Sequence, residues 1–254
     1  MPRVAIVSAS GGCGRSTVTA ALASLATRAG TPSIAIDWDP SDQLSMHLGA
    51  GEPPADGLAR QIARGREAVA LEASDGTLVL PYGILDAIAL QDMERRLTAD
   101  PDWLRARIDE LEVAPASWIF IDTPRWPSVH ARQAVRAADA VMVLMQADAI
   151  GLDCAVPLAQ VLARGRSICA VNLFEPARAS AAIHLGRLQA RLGSDLCATP
   201  VRRDDALTEA LAVRASVFDR SPLSHAATDL EALYRWMCER LSTTQPLQSS
   251  REGD

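Results

Sequence analysis

Between the apolar run VAIV and the helix-spaced VTAALASLATRAG, the chain reads SASGGCGRST, Ser8 to Thr17. A strand, a glycine-rich turn and a helix surround an anion with backbone N–H groups and the positive end of a helix. Gly11, Gly12 and Gly14 let the main chain approach a phosphate, and Cys13 and Arg15 complete the cradle. Ser16 is then placed to ligate Mg²⁺, and Thr17 to reach an inner phosphate. The usual phosphate-binding loop, G-x-x-x-x-G-K-[ST], has a lysine where this chain has Arg15. The sequence contains no lysine, so all 25 basic residues are arginine. A lysine that the chemistry needs resists such a drift, and a planar guanidinium is bulkier than a compact ammonium. Arg15 therefore predicts altered phosphoryl-transfer chemistry.

Two further stretches carry carboxylates. IAIDWDPSDQ puts Asp37 at the end of an apolar run with Asp39 two residues on, and WIFIDTP ends another run on Asp122. Acidic residues at the carboxyl ends of parallel strands face the crevice where ligands sit in such sheets. There Asp37 and Asp122 can hold the water shell of a metal, and Asp39 can orient an attacking water. Three glycines alone make an ordinary tight turn, and one Asp alone an ordinary cap. Together and in this order, the three stretches point to a site for Mg²⁺ and a nucleotide.

Positioning these residues requires a layered α/β frame. Short apolar runs alternate with longer helical stretches, which predicts a doubly wound, mostly parallel sheet of seven to eight strands with helices on both faces. Strands are expected at RVAIVS, SIAID, GTLVLP, SWIFID, AVMVLM, SICAVN and LCATPV. The helix after the glycine loop should end at Gly30, ahead of Pro32. DPDWLRARIDELE should open on an Asp cap with Pro101 in its first turn. In the last helix Ala226, Leu230, Leu233, Met237 and Leu241 form one stripe that reads as core. A single domain over residues 1–242 is expected, followed by a disordered polar tail at 243–254.

Composition narrows the function classes. A net charge of −6 and a pI near 5.3 argue against a surface devoted to nucleic acid or anionic lipid. From Arg178 to Arg220 the chain has seven arginines and five acids, a thinner positive excess than salt-dependent phosphate binding needs. Five widely spaced cysteines suit a reducing cytosol, with four expected as small core residues. No apolar run reaches the ~18 residues of a membrane span, so a soluble, cytoplasmic protein is expected.

The glycine loop, the D-x-D-P after the second strand and the later IDTP resemble the ParA/MinD group of deviant P-loop ATPases. The likeness continues through DAVMVLMQADAIGLD, AVN and PVRRDDALTEALAVRASVFDRSPLSHAATDLEAL, so it covers about residues 3 to 241. It implies ATP and Mg²⁺ as ligands, Asp39 as the residue that positions water, Arg15 in the place of a catalytic lysine, and Asn172 as the reader of adenine. It also implies a nucleotide-dependent homodimer, in which the group's second lysine reaches across to the partner's phosphates. That position is Ser10 here, which cannot neutralise anything across an interface. Binding is therefore expected to be kept, with hydrolysis slow or absent.

Within the group, IDTPR with Arg125, RRDDAL and the missing lysines most resemble the ATPase-like proteins of bacterial cellulose synthase operons. This implies a regulatory scaffold whose partners are itself and other proteins of that operon, reaching the inner membrane only through them. Two alternatives stay open. One is a positioning ATPase of DNA partition or cell division. The other is a metabolic enzyme acting on a small carboxylate, against which the missing loop lysine counts.

Overall fold

Side chains alternate across a strand, so buried parallel strands must be apolar on both faces and need a helical layer against each. The computed structural model describes residues 1–52, 57–59, 69–162 and 167–243. Its strands are β1 (Arg3–Val7), β2 (Ser33–Asp37), β3 (Leu71–Glu72), β4 (Leu78–Leu80), β5 (Trp118–Asp122), β6 (Ala140–Met145) and β7 (Ser167–Val171). They form one seven-stranded sheet in the order β3-β4-β2-β5-β1-β6-β7. Only β3 runs antiparallel to its neighbour, as the short hairpin partner of β4 at one edge.

The helices are α1 (Arg15–Arg28), α2 (Leu44–Leu48), α3 (Ala87–Ala99), α4 (Trp103–Asp109), α5 (Val129–Ala137), α6 (Val156–Leu162), α7 (Ala179–Leu192), α8 (Asp205–Ala212), α9 (Val217–Arg220) and α10 (His225–Thr243). A five-residue π-helix, Gly151–Ala155, leads into α6. Val4, Ile6, Phe120, Met142, Leu144 and Ala170 face α1, α2 and α8 to α10. Ala5, Ile34, Ile36, Ile119 and Ile121 face α3 to α5. On that same second face, Val7, Val141, Val143, Cys169 and Val171 pack against α6 and α7.

Most expectations hold. Helix α1 stops at Arg28, and Gly30 at φ +85° follows it. The stripe Ala226, Leu230, Leu233 and Met237 is fully buried, with Leu241 packed at its margin. All five cysteines are free: Cys13, Cys169 and Cys197 are buried, Cys238 is half-buried against the core and Cys154 is exposed.

Three details differ. LCATPV runs beside β7 through the bridge Cys169–Leu196 and the bond from Val201 N to Val171 O but is no regular strand, since Pro200 has no N–H to give to a ladder. β3 is an addition to the expected set; its turn depends on Gly76 at φ +86° and on Asp75, whose carboxylate accepts from Thr77 N at 3.0 Å. Helix α4 begins at Trp103, two residues later than the cap pattern implies, after a turn in which Asp100 accepts from Asp102 N. The polar tail falls outside the described residues from 244 onward. No described helix is long and apolar enough to cross a membrane.

Candidate functional site

β1, β2 and β5 are adjacent and parallel, so their carboxyl ends open on one crevice. Residues 8 to 17 leave β1 there and enter α1, whose N-cap is Gly14 in the left-handed region at φ +79°. Gly12 is also left-handed at φ +70°, and open space surrounds both it and Gly11. Among the described residues, the backbone N–H groups of Gly11, Gly12 and Gly14 donate to no backbone acceptor. Converging free N–H groups at a helix start form an anion cradle.

The loop is held from beneath. Asn172, at the end of β7 and 2 % exposed, donates from Nδ2 to the Cys13 carbonyl at 2.8 Å. It packs so tightly under Gly14 that a Cβ there would lie 2.5 Å from Nδ2. Its Oδ1 is buried without a hydrogen bond. Asn172 thus supports the loop from below, with one buried acceptor unused. The buried Cys13 Sγ lies 2.9 Å from Ser10 Oγ, which ties the outer limb to the inner one.

Arg15 turns back onto the protein. Its Nε donates to Thr123 O at 2.6 Å, and one terminal nitrogen donates to Ser10 O at 3.1 Å and to the Ser8 hydroxyl. The other terminal nitrogen stands 3.8 Å from an Asp39 carboxylate oxygen. Asp39 in turn accepts from Ser41 N at 3.0 Å through its other oxygen.

Asp37 and Asp122 are fully buried at the same register position of β2 and β5. Asp37 accepts from Asp39 N at 3.1 Å and from Leu44 N at 2.8 Å. Burial first, and the Asp122 charge second, hold its carboxyl well above the usual carboxylate range. Asp122 accepts from Thr123 N through Oδ1, whereas Oδ2 is buried with no hydrogen bond. Burial raises its carboxyl to about 7, against the pull of the nearby Ser16 hydroxyl. A buried carboxylate with one unpaired oxygen fits a hard cation, which takes oxygen donors and water. The described side chains of His, Cys, Asp and Glu form no cluster that would enclose a metal by themselves.

Sequence reasoning missed the residues behind this rim. His47 Nδ1 lies 3.5 Å from Thr17 Oγ1, and burial lowers its pKa to about 4. Between Asp37 and Asp39, the buried Trp38 stacks on Trp103 with ring centroids 5.7 Å apart and an interplanar angle of 20°. Tyr82 and His130 complete the cluster through an OH···Nε2 contact of 2.9 Å. Asp42 secures the neighbouring turn by accepting from Tyr82 N at 2.8 Å and Gly83 N at 3.1 Å. Nothing in the local spacing of these residues points to their meeting.

The fold is similar to that of several solved structures. One is the septum site-determining protein MinD with Mg-ADP from Pyrococcus horikoshii, at TM-score 0.76 and 20% identity, over 97% of this chain and 99% of that one. Another is a single-residue variant of Cyanothece McdA in complex with ATP, at TM-score 0.74 and 19% identity, over 98% and 99%. A third is cobyrinic acid a,c-diamide synthase from Mycobacterium smegmatis with an ATP analogue and magnesium, at TM-score 0.73 and 17% identity, over 96% and 97%. No curated protein matches the chain. The family profile described as "Cellulose biosynthesis protein BcsQ" matches residues 1–238. Joined to the glycine loop and the paired strand-end aspartates, that match identifies the chain as belonging to the BcsQ family, on a fold of the ParA/MinD type.

Proposed function

We propose that the chain binds Mg²⁺-ATP at this crevice, is held as a homodimer by the bound nucleotide, and serves as a regulatory scaffold for cellulose synthesis and secretion with slow or absent hydrolysis. One observation carries the reading: the loop leaves its N–H groups free for an anion, while the Arg15 guanidinium is engaged by Thr123, Ser8, Ser10 and Asp39. Gly11, Gly12, Cys13, Gly14 and Thr17 would hold the phosphates. Ser16 would ligate Mg²⁺, with Asp37 and Asp122 around its water shell, and Asn172, whose buried Oδ1 lacks a hydrogen bond, would read the base. The metal would neutralise phosphate oxygens, as it does in the wider class of such sites. Asp39 would orient water. Transition-state charge, however, needs a cation aimed at the transferring phosphoryl group. Ser10 has none, and the cation of Arg15 is engaged elsewhere.

The positioning-ATPase alternative finds no support in the charge distribution. Four of the seven arginines from Arg178 to Arg220 are ion-paired: Arg178 and Arg203 with Glu175, Arg202 with Asp229 and Arg214 with Glu52. A cytoplasmic protein brought to the inner membrane by partners fits this surface better. Calorimetry with MgATP and MgADP, beside sizing chromatography and ATP turnover, tests the reading. Expected are heat with nucleotide, a dimer with ATP, and turnover well below ~1 s⁻¹. No heat from the folded protein, or turnover in the ordinary enzyme range, would refute it. Cellulose output in cells lacking the gene tests the scaffold role.

A further inference from the structure

Arg125 follows Pro124, three residues beyond Asp122, on the same crevice rim. It is exposed, and no hydrogen bond or ion pair engages its guanidinium among the described residues. The backbone that carries it is pinned on several sides. Trp126 N donates to Ser8 O at 3.0 Å, which joins this segment to the first limb of the glycine loop. The Trp126 ring packs with Ala9 against the core beneath. Arg132 donates to Pro127 O at 2.6 Å, and the Ser128 hydroxyl caps α5 by accepting from Ala131 N at 3.1 Å. Arg178, Arg202 and Arg203, which lie beyond β7 at this end of the sheet, are paired with acids. Arg15 is engaged by the loop itself. Among these strand-end arginines of the described residues, Arg125 therefore stands out as a free cation on a fixed stem.

We propose that Arg125 is a phosphate-contacting residue supplied in trans: in the nucleotide-held dimer, it reaches from one subunit to the phosphates bound by the other. The inference rests on the ATP-dimer reading and assigns a specific residue to it. Among the described residues the crevice offers three aspartates, Asp37, Asp39 and Asp122, and one guanidinium, that of Arg15, already engaged by protein oxygens, so beyond a bound Mg²⁺ no free side-chain cation of the same subunit meets the phosphates there. A guanidinium suits this task because its planar fork meets phosphate oxygens in pairs. Its exposed place on the rim directs it toward a second copy when the two crevices face each other. A rigid stem lowers the entropy lost when the contact forms.

The test compares the native chain with Arg125→Ala, Arg125→Lys and Arg125→Glu, using Arg187→Ala on α7 as an exposed-arginine control. Melting curves confirm folding, calorimetry at dilute protein gives single-chain ATP affinity, and sedimentation gives the dimer constant with MgATP. Expected for Arg125→Ala is ATP affinity within about twofold of native and dimerisation weakened at least tenfold, the size of effect seen when one partner of a close charge pair is removed. Lys should restore part of the loss, and Glu should deepen it. Such grading by charge is not produced by a merely structural role. Equal dimerisation of native and Ala proteins would overturn the proposal, as would a loss of single-chain affinity, which places the contact in cis. A native chain that binds ATP and stays monomeric refutes the dimer reading beneath it, and is recognised without any variant.

Discussion

Asp37 and Asp122 occupy the same rung of neighbouring parallel strands, and both carboxyls are buried. The folded state holds a proton on this pair more tightly than the unfolded chain does. Between the ordinary value of 3.8 and about 7, stability from Asp122 therefore falls as pH rises, because the folded state binds more protons there. Asp122→Asn should raise the melting temperature of the nucleotide-free protein at pH 8, by on the order of 2 kcal/mol or roughly 4–8 °C. At pH 4 it should change little. Thermal melts at the two pH values check this, and equal shifts at both would contradict it.

His47 and His130 work in the opposite sense. Burial lowers both to about 4, so the unfolded chain binds more protons between that value and 6.5, and stability from them is lost as pH falls through the window. The two effects overlap, which predicts a nearly flat curve for the native protein. His130→Asn should make it slope down more evenly from acid to neutral pH. Denaturant melts at pH 4, 5.5 and 7 resolve the difference; an unchanged profile would rule out a titrating His130.

Arg15 gives a kinetic prediction. Lysine cannot reproduce the fork that binds Thr123, Ser8 and Ser10 at once, so Arg15→Lys with Ser10→Lys should free one ammonium and add another. ATP turnover should rise by about a hundredfold, equivalent to ~3 kcal/mol of transition-state stabilisation. Steady-state phosphate release measures it. A double variant no faster than native would mean that some other missing group limits hydrolysis.

The contact of Gly14 with Asn172 gives a binding prediction. Gly14→Ala forces a Cβ to 2.5 Å from Asn172 Nδ2 at a left-handed backbone position, so the loop must shift off its support. Asn172→Leu leaves the Cys13 carbonyl buried and unpaired, at about 1–3 kcal/mol. Both should lose MgATP heat in calorimetry. Full retention by Gly14→Ala would show that the loop adapts more freely than this packing allows.

Trp38 should report the ligand. It lies between Asp37 and Asp39 and stacks on Trp103, so any rearrangement of the aspartates alters its surroundings. Intrinsic fluorescence should change on adding MgATP, and Trp38→Phe should abolish the change although Trp103, Trp118, Trp126 and Trp236 remain. A signal that survives the substitution would locate the movement elsewhere.

Much of the crevice was readable because its residues are local to strand ends. Gly14, Ser16, Asp37 and Asp122 follow apolar runs whose parallel pairing brings their ends together. Six of the seven expected strands appear for the same reason. The direction of Arg15 was not readable: its acceptors include Thr123, 108 residues away. Asn172 could be tied to the nucleotide only by resemblance, and its grip on Cys13 spans 159 residues. The aromatic cluster joins residues from four separate segments, so no spacing encodes it. Edge strand β3 is two residues long, shorter than any period can register.

Among the described residues, β1 pairs only with β5 and β6. On the ribosome, therefore, the glycine loop is made well before the strands that seat it. β2, β3 and β4 can associate early, but β1 has no strand to lie against until residue 118 has emerged, and no second one until residue 140. Contacts of such long sequence separation close slowly. The nascent chain must carry an exposed apolar strand and an unformed phosphate cradle until β5 and β6 follow, so shielding by a chaperone should matter most in that interval.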